Sequence, residues 1–230
     1  MAVNATEGER QAQAERDLAL KLSLEPRLET ELNRIFADMS RDLQAQLDTT
    51  GTTISAQDYS MDFEGVLLRQ NRRVANAFNG RILEQIDEDE DNDELAAVAA
   101  SAGMSLREWL NRVREQSRVR TLAMIMAEAR RASGEITRTN QKDIDESVGA
   151  AVSNPEIVAV GAAASARFLS RGRGRSGTIS TTETQGIAEG AKQIDREVFV
   201  ANRNGFGSVA AGVPPVDAKK EWVTMGDSKV

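Results

Sequence analysis

The chain has no cysteine and no histidine, only 4% aromatic residues, four prolines and a single tyrosine, Tyr59. Without cysteine there is no disulfide, no thiolate nucleophile and no Cys-ligated zinc or iron–sulfur centre. Without histidine the commonest general base and metal ligand is missing as well. Most familiar catalytic constellations cannot be assembled from this alphabet, so no catalytic residue, metal ligand or cofactor-binding residue is expected. Carboxylate pairs and Mg²⁺ sites stay open in principle, but 36 acidic residues on a helical surface make chance pairs abundant. No run approaches the ~20 apolar residues of a membrane-spanning helix. The opening stretch, Met1 to Asp17, has no basic region followed by an apolar one. The expectation is a soluble protein with no secretory leader and no membrane partner, and the missing cysteine fits a reducing compartment.

What is present is 230 residues, 40% hydrophobic and 28% charged, with a formal net charge of -7. That length suits one ordinary domain or two small ones joined by helices. Glu9 to Leu24 are mostly good helix formers, and Pro26 can open a second helical segment in its first turn. Leu28, Leu32, Ile35, Met39, Leu43 and Leu47 then recur at spacings of three and four, one apolar stripe on an amphipathic helix. Asp48-Thr49-Thr50-Gly51-Thr52-Thr53 stops it. A further helix is expected from about Asp62 to Ile86, burying Phe63, Val66 or Leu67, Val74, Phe78, Ile82 and Ile86.

Asp87 to Glu94 holds seven acids in eight positions. Asp87, Asp89 and Asp91 match the opening of a calcium loop, but Asn92 stands where the loop needs glycine and Val98 where it needs glutamate. A self-repelling solvated linker is the better reading. Ser105-Leu106-Arg107-Glu108 is a capping box, with Met104 and Trp109 at the positions of a hydrophobic staple, so a helix starts at Leu106. Its apolar side runs through Leu110, Val113, Val119, Leu122, Ile125, Met126 and Ala129 to a stop at Ser133-Gly134. Its polar side carries Arg107, Arg112, Arg114, Arg118, Arg120, Arg130 and Arg131. These suit nucleic acid or an acidic partner, or a solvated face paired with Glu108, Glu115 and Glu128.

Shorter helices are expected at about Asn140–Ala151 and Pro155–Leu169, the latter apolar nearly all round and rich in small residues. Arg167, Arg171, Arg173 and Arg175 follow in an Arg/Gly stretch, with no acid between Glu156 and Glu183. Such a stretch reads either as a flexible tether delivering positive charge to phosphate backbones or an acidic groove, or as a solvated loop. Ser180-Thr181-Thr182-Glu183 forms a second capping box opening a helix to about Asn202. Loops and one or two short strands are expected beyond it. The fold class is therefore mainly α: long amphipathic helices in a bundle-like arrangement with a small α+β C-terminal module. The expected divisions are a long-helix region at 1–86, the acidic linker at 87–94, a central helical region at 95–170, and the Arg/Gly tether with the module at 171–230.

In its C-terminal part the sequence resembles the phage head morphogenesis family, the Mu F-like minor head proteins of tailed phages. Ile179, Thr182, Glu183, Ala188 and Gly190 match the family's first block, and Lys220, Trp222, Thr224, Asp227 and Val230 match its second, which reads Lys-x-Trp-x-Thr-x-x-Asp. The family pattern continues into an arginine and a histidine where this sequence stops at Val230, so a processed or truncated module is expected there. The resemblance implies a structural virion protein without catalysis, held in the head near the portal vertex and in the host cytoplasm during assembly. It would act in head assembly, DNA packaging or genome ejection. The implied partners are the portal and/or major capsid protein, with non-specific contact to packaged DNA through Arg167, Arg171, Arg173 and Arg175, in a homo-oligomer around a symmetric vertex; no small-molecule substrate is implied. Read physically, Glu183 is first a capping carboxylate, Trp222 a core or interface anchor and Asp227 a turn residue. Rival readings are a portal adaptor or head-completion ring protein, with Pro155–Leu169 between subunits, a Mg²⁺-dependent hydrolase using Asp87, Asp89 and Asp91, and a nonviral helical scaffold.

Overall fold

The computed structural model describes residues 7–79 and 93–206. Among these residues the chain is mainly helical and has no strand. Helix α1 spans Glu7–Thr50; a 3-10 turn at Ala56–Tyr59 leads into α2, Ser60–Phe78; α3 is Asp93–Ser101, α4 Leu106–Val152 and α5 Val160–Phe206. Two turn glycines explain two of the breaks. Gly51 ends α1 at φ 72° and Gly103 separates α3 from α4 at φ 70°, conformations that side chains with a Cβ rarely adopt. After α3 the Met104 amide donates to the Ala99 carbonyl at 3.0 Å and the Gly103 amide to Ala100 at 2.9 Å, closing the helix end.

The chain groups into two compact units, both discontinuous in sequence. One is formed by Leu22–Val74 and Ile125–Gly186. Its core takes Leu28, Leu32, Ile35, Phe36, Met39 and Leu43 from α1, Phe63, Val66 and Leu67 from α2, Ala129, Ala132, Ile136 and Ile144 from α4, and Phe168 from α5. The stripe read at spacings of three and four is the buried face of α1. Phe36 sits among aromatics, with ring centroids 5.6 Å from Phe63 and 6.4 Å from Phe168. Within this unit α1 and α5 run antiparallel: Ser40 donates to the Ser165 carbonyl and, further along, Ser180 donates to the Glu25 carbonyl. Helices α2 and α4 are antiparallel too, since Ser133 reaches the Ser60 carbonyl and Arg130 reaches Glu64.

Among the described residues the other unit is drawn from 7–21, 75–79, 93–124 and 187–206. Its core holds Leu95, Val98 and Ala99 of α3, Trp109, Leu110 and Val113 of α4, and Val198, Phe199 and Val200 of α5, with Trp109 edge-on to Phe199 at 5.9 Å. The capping box at α4 forms as read: the Ser105 amide donates to the Glu108 carboxylate at 2.8 Å and the Glu108 amide to Ser105 Oγ at 3.3 Å. Met104 packs against the same cluster that contains Trp109.

Five expected boundaries are corrected. Pro26 lies inside α1 rather than at a helix start; its position is solvent-exposed, and buried Leu28 and Leu32 carry the helix past it. Ser133-Gly134 does not end α4, because Ala132 and Ile136 on either side are buried and hold the backbone helical. The helix expected at Pro155 begins instead at Val160, since Asn154 closes a turn by accepting from the Glu156 amide at 3.0 Å. Ser180-Glu183 is not a helix start but the interior of α5. Asp93 and Glu94, expected as the end of the acidic linker at 87–94, instead form the first turn of α3; Ile82, Ile86, the rest of that linker and the α+β part of the C-terminal module lie outside the described residues.

Candidate functional site

The Arg/Gly stretch was expected to be a tether or loop, and it is neither. Arg167, Arg171, Arg173 and Arg175 all lie in the continuous helix α5. A helix separates them by face. Arg167 and Arg173 are exposed, whereas Arg171 and Arg175, one turn apart, turn toward α4 and are partly buried.

There α4 supplies Asn140, Asp143 and Glu146, which sequence reading did not single out. Arg171 Nη1 donates to Asp143 Oδ1 at 3.0 Å and to Glu146 Oε2 at 2.6 Å. Arg175 Nη2 donates to Asn140 Oδ1 at 2.8 Å and pairs with Asp143 Oδ2 at 2.6 Å. The Arg175 guanidinium also lies over the Phe36 ring, 5.8 Å from its centroid. The hydrogen bond from Arg171 holds the Glu146 carboxyl below the usual carboxylate range. The available signal was spacing: an Asp and a Glu three apart on one helix facing two arginines four apart on another. Two of the four arginines are thus engaged within the protein, and two are available to an outside anion.

The first block of the family-like residues divides by burial. Ile179 packs partly buried on the core around Phe36, Thr182 is exposed, and Glu183 is 9% exposed. Glu183 caps nothing; Arg131 Nη2 stands 3.6 Å from its Oε1. Burial pushes the Glu183 carboxyl up, Arg131 opposes that, and Glu128 and Glu135 add to it. In the other unit Ala188 is fully buried, and Gly190 faces Met124, whose Sδ would lie 2.5 Å from an added Cβ. Lys220, Trp222, Thr224, Asp227 and Val230 lie outside the described residues.

On α4, Arg131 is committed to Glu128 at 2.6 Å and Glu135 at 2.9 Å, and Arg130 to Glu64 at 3.3 Å. Arg107, Arg118 and Arg120 are exposed. A shallow hollow of about 450 Å³ is lined by Leu106, Arg107, Leu110, Asn111 and Arg114. Another, of about 510 Å³, lies beside Asp42, Gln46, Thr49, Asp58 and Tyr59. There the Tyr59 hydroxyl donates to Asp42, and burial together with that carboxylate pushes the phenol well above its usual value, so it stays a neutral donor. Among the described residues no group of three acidic side chains is placed to hold a metal ion, and no helix is long and apolar enough to cross a membrane. Asp87, Asp89 and Asp91 lie outside them. No family model, curated protein or solved structure matches this chain.

Proposed function

We propose that this chain is a structural virion protein of a tailed phage, a minor head protein at the portal vertex or inner capsid that acts in head assembly, DNA packaging or genome ejection. The observation that carries the reading is the paired spacing of Ile179, Thr182, Glu183, Ala188 and Gly190 with Lys220, Trp222, Thr224 and Asp227 in a mainly helical chain. In this reading the helices form a bundle-like body, the residues past Phe206 form the small α+β module, and the portal or major capsid protein is the partner. Packaged DNA is met non-specifically, through exposed guanidiniums rather than through a whole basic surface, because the net charge is -7. Arg167 and Arg173 are the α5 residues exposed for that contact. Particles assembled without the protein should package or eject DNA poorly; fully infectious particles lacking it would refute the proposal.

A second reading, a portal adaptor or head-completion ring, is favoured by one observation. Val152 at the end of α4 and Val158 in the turn before α5 are 65% and 98% exposed, apolar side chains suited to burial between subunits. Symmetry and copy number in an averaged particle map separate the two readings.

A further inference from the structure

Residues 170–186 of α5 are built from poor helix formers. Eleven of these 17 are glycine, serine or threonine: Gly172, Gly174, Gly177 and Gly186 with three serines and four threonines. Between Phe168 and Ile187, both fully or almost fully buried, no large apolar side chain of α5 is fully buried. The core-facing positions are Gly172, Ser176, Ser180, Glu183 and Thr184. Gly174 and Gly186 meet nothing within 4 Å of an added Cβ, so the packing gains nothing from their missing side chains. The buried Arg175 Nε and Thr184 Oγ1 have no partner. Beyond Gly172 against Phe36 and the partly buried Ile179, what ties the segment down is polar: Arg171 and Arg175 to Asp143, Glu146 and Asn140, Ser180 to the Glu25 carbonyl, and Thr181 to the Glu25 carboxylate at 3.1 Å.

We infer that residues 170–186 are a conditional helix, latched by the Arg171 and Arg175 contacts to Asp143 and Glu146, which opens locally while the rest of its unit stays folded. Opening converts a helix face into a flexible Arg-Gly strand that carries Arg171, Arg173 and Arg175 together, the form in which guanidiniums can follow a phosphate backbone. The carboxylates of Asp143 and Glu146 occupy the arginines in the closed state as phosphates would in the open one. The latch does not depend on the virion reading, since it rests on helix propensity and contacts within one unit. Salt weakens it, because its ion pairs are only partly buried.

Hydrogen exchange by mass spectrometry on the full chain tests this. Peptides within 170–186 should exchange at least about tenfold faster than peptides of α1 covering 28–47, and raising salt should speed the former selectively. Combining Asp143→Asn with Glu146→Gln should accelerate 170–186 by about fivefold or more, with that segment exchanging faster than 28–47. Exchange of the two regions in step, in both proteins, overturns the inference. Gly174→Ala with Gly186→Ala gives a second test that cannot fail through lost contacts. Each substitution should slow exchange in 170–186 about fivefold while that segment still exchanges faster than 28–47; no slowing, or one common exchange rate for both regions, overturns the inference as well.

Discussion

Gly172 and Gly174 stand two residues apart on α5 and have opposite surroundings. A Cβ on Gly172 would lie 2.8 Å from Phe36 Cγ, inside the aromatic group that Phe36 forms with Phe63 and Phe168. Gly172→Ala should therefore destabilise by about 1–3 kcal/mol, because that ring is held on several sides and has little room to move. Gly174 faces open space, and Gly174→Ala should stabilise by about 0.5–1 kcal/mol through helix propensity alone. Urea midpoints of the two variants should fall on opposite sides of the parent; a shared direction would contradict the placement of Phe36. Glu183 supplies a third test. Its folded carboxyl is raised by burial, so ionisation at neutral pH opposes folding, and that penalty is absent below the unfolded value, where both states are protonated. Glu183→Gln should therefore raise the melting temperature at pH 7 by about 2–4 °C, the shift expected for ~1 kcal/mol. The gain should vanish below about pH 4. A gain that persists in acid would mean that burial of the charge is not its source.

At the scale of elements, the sequence was readable where local rules and packing agree. The Leu28 to Leu47 stripe and the Ser105–Glu108 box were legible because an apolar period and a cap each act within a few residues. The Ser105→Ala change should destabilise by about 1 kcal/mol, measured by denaturant titration; no effect would mean that the first turn of α4 is held by its packing alone. Legibility failed where tertiary contact overrides propensity. Arg171 to Gly177 reads as a tether because glycine and serine disfavour helix, and nothing local announces that Asp143 and Glu146 sit opposite on α4. Pro155 misled for the converse reason: a favourable first-turn residue lost to the side chain of Asn154, which closes a turn on Glu156. The candidate site was half legible. The four arginines were visible in the sequence, but their division into two engaged and two exposed needed the helix phase and the partner helix.

For the whole molecule the governing quantity is charge. A net charge of -7 repels a polyanion overall, so any affinity for DNA must come from local guanidiniums and must fall steeply with salt. Changing Arg167 and Arg173 together to serine should lower that affinity for all sequences alike and reduce the salt slope by about two. Unchanged binding and slope would remove both residues from the contact. The account as a whole turns on where the protein works. The most direct measurement is an electron cryomicroscopy reconstruction of phage particles assembled with and without this chain, scored alongside infectivity. The account predicts helical density at the portal vertex or inner capsid that disappears when the chain is left out, with heads that package or deliver DNA poorly. Identical maps and full infectivity in its absence would contradict it.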